Sequence, residues 1–248
     1  MKNSVCLLLP ASMVLLGLPA QAAGNLTEDF SGPALGPGLE FSAPDSYSFS
    51  TGFASPEGDS RQYIRTVATD FGAGDFVLSL TFRVASGDGG AGTAFIGLGT
   101  GSPDSDYYDE PLNSVYFRSA PADFGDGFLQ LSINSGAGNV AELTTLGNPG
   151  DGTHRALLTK VGDTLTFSLD ANSSSGPFVA DDTITLNLAD ERFAFLDNTN
   201  SRLFFGGQGT TVGFDQASIS YSVPEPGSAA MFVGAVTLGF ACWRRRRG

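Results

Sequence analysis

Basic side chains are scarce in this sequence of 248 residues: 13 lysines and arginines face 26 aspartates and glutamates, a formal charge of −13. Nucleic acids demand a basic face to meet their phosphates, so DNA and RNA are excluded as partners. There is one histidine, His154. With no second imidazole and no cysteine beside it, a histidine-rich zinc site cannot be assembled. His154 itself, in Gly152-Thr153-His154-Arg155, is expected as a surface or turn residue at a strand entry rather than as a catalytic base. The two cysteines, Cys6 and Cys242, lie in terminal segments, so the residues between them must be held by an apolar core without disulfides. Charged residues amount to 16%, below the share of about a quarter usual in soluble domains, which argues against a coiled coil and a charge-rich disordered chain. No proline- or serine-rich linker divides residues 24–222, and no internal repeat runs through them.

What is present begins at the two ends. Met1-Lys2-Asn3 is followed by a mostly apolar run from Val5 to Leu18 and then by Pro19-Ala20-Gln21-Ala22-Ala23. A short positive start, an apolar stretch and an Ala-x-Ala exit are the parts of a secretory signal peptide. Residues 1–23 are therefore expected to direct export through the Sec machinery, with cleavage after Ala22 or Ala23. At the other end, Val223-Pro224-Glu225-Pro226 precedes seventeen uncharged residues, Gly227 to Trp243, and then Arg244, Arg245, Arg246 and Arg247. The two prolines end any helix or central strand before them. The apolar run meets the lower limit for a membrane span, about 17 to 25 residues. Trp243 sits where an interfacial aromatic would, and the arginines hold that end in the cytoplasm. Lys2 marks the same side, so residues 24–222 are expected outside. The charges divide accordingly: residues 24–222 hold 25 acids and eight bases, a balance of −17.

The C-terminal arrangement resembles the PEP-CTERM sorting signal: Val223-Pro224-Glu225-Pro226, a short membrane helix over residues 227–243 rich in glycine and alanine, and the basic tail 244–247. That resemblance implies export in Gram-negative, often biofilm-forming bacteria and processing by exosortase, a membrane transpeptidase-like enzyme. The protein would be anchored in the inner membrane through one helix before processing, and afterwards reside in the cell envelope or outside the cell. The likeness covers about the last 26 residues and implies nothing about what the exported part does.

Residues 24–222 carry strand-like alternation. Phe76, Leu78, Leu80, Phe82 and Val84 face one way, as do Leu165, Phe167 and Leu169; Ile184, Leu186 and Leu188; Leu129, Leu131 and Ile133; and Ala217, Ile219 and Tyr221. Turn chemistry separates them at Gly87-Asp88-Gly89-Gly90, Gly125-Asp126-Gly127, Gly136-Ala137-Gly138 and Gly150-Asp151-Gly152. Many short strands with such turns predict an all-β fold, an antiparallel two-sheet sandwich or barrel. Twenty phenylalanines suit interdigitating inner faces. One helical turn or two is expected near Leu188 to Arg192.

This part also resembles the concanavalin A/laminin G-like jelly rolls in Phe76-Val77-Leu78-Ser79-Leu80-Thr81-Phe82, Thr164-Leu165-Thr166-Phe167-Ser168-Leu169-Asp170 and Val212-Gly213-Phe214-Asp215-Gln216-Ala217-Ser218-Ile219. The likeness implies a final strand that pairs back near the N-terminus. A β-sandwich of the carbohydrate-binding type fits the same pattern.

Two chemistries call on carboxylates of the kind this sequence holds. Glycoside hydrolysis needs two carboxylates across the sugar bond. Concanavalin-like glucanases, members of the superfamily that this part resembles, often supply them from one strand as Glu-x-Asp-x-x-Glu; the nearest match, Glu57-Gly58-Asp59-Ser60-Arg61-Gln62, has glutamine at the second glutamate and glycine inside the strand, which removes one of the two carboxylates. Calcium needs six to eight oxygens from carboxylates and loop carbonyls. Asp104-Ser105-Asp106-Tyr107-Tyr108-Asp109-Glu110, opened by Gly101-Ser102-Pro103, concentrates them. Asp104, Asp106, Asp109 and Glu110 are the candidate calcium ligands, and Tyr107 and Tyr108 could stack on a sugar ring or pack beneath the loop. Asp88, Asp123, Asp126, Asp181 and Asp182 lie in other predicted loops, where acids also serve simply to cap turns.

The leading expectation is an exported, non-enzymatic protein of the envelope or extracellular matrix, sorted by exosortase. The alternative is a calcium-assisted carbohydrate-binding module with an extracellular polysaccharide as partner; a divergent glycoside hydrolase comes third.

Overall fold

The computed structural model describes residues 21–32, 34–42, 47–50, 53–57, 61–86, 92–100, 113–120, 128–135, 140–147, 149–196 and 200–224. The chain forms two compact units, one of Ala23–Val223 and one of Met1–Ala22 with Pro224–Gly248. Of the second unit only Gln21, Ala22 and Pro224 are among the described residues, and the expected membrane helix 227–243 lies outside them. No helix among the described residues is long and apolar enough to cross a membrane.

Among the described residues, fifteen strands pack as two antiparallel sheets. The strands are β1 (Gln21–Glu28), β2 (Leu39–Phe41), β3 (Tyr47–Ser50), β4 (Phe53–Pro56), β5 (Gln62–Thr66), β6 (Asp75–Val84), β7 (Thr93–Gly99), β8 (Ser114–Ala120), β9 (Phe128–Asn134), β10 (Val140–Leu146), β11 (Gly152–Val161), β12 (Thr164–Asp170), β13 (Asp182–Asn187), β14 (Arg202–Gln208) and β15 (Gly213–Pro224). The eight-stranded sheet runs β13-β12-β11-β6-β15-β4-β3, with β1 also on β15; the seven-stranded sheet runs β10-β9-β8-β7-β14-β5-β2. The chain is thus an all-β, two-sheet antiparallel sandwich. The final strand does pair back to the N-terminal one, and Gly24 lets this happen, since a Cβ there would strike the ring of Tyr221. The Gly213-Phe214-Asp215 step carries a bulge: the register with β6 shifts between Phe214 and Gln216, which throws Asp215 out to solvent.

The period-two pattern is the origin of the core. Phe76, Leu78, Leu80, Phe82 and Val84 of β6 are all buried, while Val77 between them is exposed. Inner-face aromatics interlock across the two layers. Phe117 of the seven-stranded sheet stacks on Phe167 of the other, centroids 3.9 Å apart and rings 11° from parallel, and Phe205 meets Phe214 at 5.4 Å. The predicted helical turn is a single 3-10 turn, Glu191–Phe193, which Asp190 caps by accepting a hydrogen bond from the Arg192 N–H; Phe193 beneath it is buried. The turn thereby delivers one phenylalanine, Phe193, to the hydrophobic core.

Candidate functional site

The two sheets differ on their outer faces. The eight-stranded sheet turns Thr159, Thr166, Ser168, Thr183 and Thr185 to solvent, half-buried or exposed. The seven-stranded sheet is buried on both faces of its central strands: all seven residues of β7 and five consecutive residues of β14 are buried. The reason is a second aromatic cluster, separate from the core, made of Tyr63, Phe95, Tyr116 and Phe204, each 0% exposed. Tyr63 meets Phe204 edge-on at 5.7 Å and Phe95 at 5.8 Å; Phe95 meets Tyr116 at 6.0 Å.

Register explains how four strands deliver these rings to one place. Arg65, Phe204, Gly97, Tyr116 and Ser132 align in one cross-strand row, and Tyr63, Gly206, Phe95, Arg118 and Gln130 in the next. The glycines make the room: a Cβ on Gly97 would lie 2.5 Å from the Phe204 ring, and one on Gly206 would collide with the backbone and ring of β5. Around the rings stand four guanidinium groups. Arg61 lies over Phe95, 5.0 Å from its centroid, and its Nε donates to Gln208 Oε1 at 3.2 Å. Arg118 Nε donates to Gln130 Oε1 at 2.7 Å. Arg65 Nε and Arg202 Nη1 share Glu40 Oε1 at 2.9 and 2.7 Å, and Arg202 Nη1 also donates to the Thr66 carbonyl. The rings themselves are covered, and what this patch turns outward is the half-buried set of Arg61, Arg65, Arg118, Arg202 and Gln208, polar groups of the kind that hold polyhydroxylated or anionic ligands.

The sequence carries one signal for these four rings and four guanidinium groups. Arg61-Gln62-Tyr63-Ile64-Arg65, Tyr116-Phe117-Arg118 and Arg202-Leu203-Phe204 each alternate arginine with an aromatic at period two. That spacing puts ring and charge on one side of a strand.

The candidate calcium ligands Asp104, Asp106, Asp109 and Glu110, with Tyr107 and Tyr108, lie outside the described residues, as do Asp88, Asp123 and Asp126. The segment holding the first six joins β7 to β8, so it leaves the same sheet beside the row of Arg202, Gly99, Ser114 and Asn134. Asn113, where it re-enters, adopts a positive φ of 43°, which asparagine tolerates better than most residues. No group of three or more metal-ligating side chains gathers among the described residues. Asp181 caps a turn, accepting from the Ala171 N–H, and Asp182 opens β13. Of the sorting motif, Val223 and Pro224 close β15, while Glu225 and Pro226 lie outside the described residues together with Trp243, Arg244, Arg245, Arg246 and Arg247.

Two readings change. His154 is not a surface residue: it is 0% exposed, on the inner face of β11 against Phe82 at 5.4 Å. Its Nδ1 accepts from the Asn172 N–H at 3.1 Å, which leaves Nε2–H to donate to the Gly150 carbonyl at 3.2 Å. Both nitrogens are thus committed to structure, and burial lowers its pKa below 6.5, partly opposed by the Gly150 carbonyl and Asp151. The Glu57 to Gln62 match to a hydrolase strand also dissolves. Glu57 follows β4 of one sheet and Gln62 opens β5 of the other, so the two positions are not on one strand.

Elsewhere, Lys160 is buried at the end of β11 beside a cavity of about 310 Å³ that Leu98, Asp163, Phe193 and Leu196 also line. Its Nζ donates to the Gly74 carbonyl at 3.0 Å; burial lowers its pKa, with Asp75 and Asp163 acting the other way.

No protein-family model matches the chain. No curated protein matches it. Among solved structures it is similar to the exoplasmic/lumenal domain of VIP36 in its Ca2+/Man-bound form, with a TM-score of 0.55 and 14% identity over 79% of this chain and 88% of that one. It is similar to the winged bean acidic lectin complexed with methyl-α-D-galactose at a TM-score of 0.52 and 12% identity, over 81% and 99%. The CBM2 module of the evolved Dit of Lactobacillus casei BL23 phage J-1 matches at 0.51 and 13%, over 82% and 97%. At these identities the likeness is one of fold: the sandwich is of the lectin, concanavalin A-like type.

Proposed function

We propose that this chain is an exported, non-catalytic carbohydrate-binding protein of the cell envelope or extracellular matrix, and that its ligand face is the outer face of the seven-stranded sheet. The observation that carries the reading is the half-buried set of Arg61, Arg65, Arg118, Arg202 and Gln208 seated over the buried rings of Tyr63, Phe95, Tyr116 and Phe204 on that face. Amide and guanidinium groups fixed by neighbours bind sugar hydroxyls without first having to be ordered, which keeps the entropic cost of association low. The sugar-bound lectins of the same fold support this reading over that of a purely structural matrix protein.

Delivery follows from the ends. Residues 1–23 direct export, residues 227–243 hold the chain in the inner membrane, and exosortase processes it at Val223-Pro224-Glu225-Pro226. Calcium would be held by Asp104, Asp106, Asp109 and Glu110, where it would tie the β7–β8 connection together and set Tyr107 and Tyr108 for stacking on a sugar.

The test is a glycan panel probed with the full-length protein in detergent micelles. Saccharide binding that Gln130→Ala weakens, with melting behaviour intact, is the expected outcome. Absence of binding to every glycan, with and without calcium, would return the chain to a structural matrix role.

A further inference from the structure

Lys160 stands where the strand pattern calls for an apolar side chain. Along β11 the inward positions are His154, Ala156, Leu158 and Lys160, all of them buried. Its neighbours in register are Phe76 of β6 and Leu165 of β12, both core residues. Lys160 is only 4% exposed, and burying an ammonium costs stability unless something meets its charge. An ammonium has three hydrogens to donate. Among the described residues Nζ places one of them, on the Gly74 carbonyl at 3.0 Å. Burial lowers its pKa below 10.5, although Asp75 and Asp163 act the other way.

The cavity of about 310 Å³ that this lysine lines has the volume of a small-molecule site, which begins at about 300 Å³. Both sheets contribute to it, Leu98 from β7 and Lys160 from β11. Leu98, Lys160 and Phe193 are buried at its floor, Leu188 and Leu196 are half-buried, and Asp163 is exposed at its rim. The two carboxylates near the lysine are used differently. Asp75 Oδ1 accepts from the Gly162 N–H at 2.8 Å, so it is spent on the turn between β11 and β12. Asp163 lines the cavity, and among the described residues no hydrogen bond or ion pair engages its carboxylate. The cavity thus carries a cation at its floor, a carboxylate at its rim and apolar walls for the rest.

We propose that this cavity binds a free α-amino acid with an apolar side chain, its carboxylate on Lys160, its ammonium on Asp163 and its side chain against Leu98, Leu188, Phe193 and Leu196. A carboxylate alone would gain the lysine and be repelled by Asp163; an amine alone would gain Asp163 and be repelled by the lysine. A ligand that carries both charges answers both, and each contact is a charge-assisted hydrogen bond. The ligand carboxylate also supplies the buried ammonium with the partner it lost on leaving water. This site is separate from the saccharide face, and neither depends on the other.

The experiment is isothermal titration of the full-length protein in detergent micelles with leucine and three relatives that each lack one part. Isocaproate lacks the ammonium, isoamylamine the carboxylate and glycine the side chain. Leucine binds and raises the melting temperature. Each relative binds about tenfold more weakly or worse, the scale of losing one hydrogen bond to a charged group or the burial of one aliphatic side chain. Asp163→Asn, at an exposed position, weakens leucine about tenfold and spares isocaproate, so the preference between the two disappears. Lys160→Met, close to lysine in length, abolishes binding of both. Isocaproate or isoamylamine bound as tightly as leucine by the parent protein would overturn the amino-acid assignment, and so would an unchanged preference in Asp163→Asn. No heat from any of the four, with unchanged melting, would overturn the site and leave Lys160 holding the Gly74 carbonyl alone.

Discussion

His154 shows how a residue that looks poised for chemistry can be spent on the fold. Its ring is buried, and its two nitrogens satisfy backbone groups of Gly150, just before β11, and Asn172, just after β12. Protonation would set an N–H at Nδ1 against the Asn172 N–H and place a charge where burial has already lowered the pKa. The unfolded chain, with a histidine near 6.5, binds the proton more readily. The contribution of His154 is therefore fully present above pH 6.5 and is lost as the pH falls below it toward the depressed folded value. Denaturant midpoints recorded from pH 8 to 5 should decline on the acidic side, and His154→Phe should flatten that decline. The same variant should cost about 1–3 kcal/mol at pH 8, because the Asn172 N–H and the Gly150 carbonyl lose their partner. Asp170 acts in a separate, lower window. Burial alone would raise its pKa, but the Val179 N–H, Arg155 and Ser173 outweigh it and lower it below 3.8, so its contribution is present above that value and disappears only in stronger acid.

Arg155 carries this into the next level, since one guanidinium organises a whole loop. Its Nη1 donates to the Gly176 carbonyl and its Nη2 to Asp170, Ser173 Oγ and the Pro177 carbonyl, while Phe178 lies 5.6 Å from the charge. In β7 and β14 the organising element is the absence of a side chain. Gly97 sits between Phe204 and Tyr116 in the cross-strand row, and a methyl group there would lie 2.5 Å from one and 2.6 Å from the other. Gly97→Ala should destabilise the protein by about 1–3 kcal/mol through overpacking. Gly32→Ala, where nothing lies within 4 Å, should leave the denaturation midpoint unchanged. If the two behave alike, the glycines are not spacers for the aromatic face. Strand existence was legible at this scale because burial on one face leaves a period-two imprint, as in Phe76 to Val84. The aromatic face escaped notice because strands buried on both sides, such as Thr93–Gly99, show no alternation.

At the scale of the molecule, charge and topology give two further expectations. If Asp104, Asp106, Asp109 and Glu110 hold calcium, the melting temperature should rise by several degrees with millimolar calcium and fall back with a chelator, since a ligand that binds only the native state adds to stability. Asp106→Asn with Asp109→Asn should abolish the shift, and an identical melting curve with and without calcium in the parent protein would remove the metal. Deleting residues 223–248 should leave the sandwich folded by circular dichroism, since the paired register of β15 with β6 ends at Ser222, but should abolish envelope retention in the host. Equal retention of the truncated protein would end the sorting proposal.

The sequence by itself determined the fold class, the positions of most strands and the unequal distribution of charge between body and ends. These follow from local chemistry: side-chain alternation, glycine and aspartate turns, and runs without charge are written in neighbouring residues. Only the tertiary structure decided what stands next to what. It separated Glu57 from Gln62 by assigning them to different sheets, buried His154 between two backbone groups, and gathered Arg61, Arg65, Arg118 and Arg202 around four rings from four strands. The physical reason is that cross-strand register, set by packing across more than a hundred residues of sequence (Arg202 meets Glu40 from 162 positions away), leaves no trace in any local window.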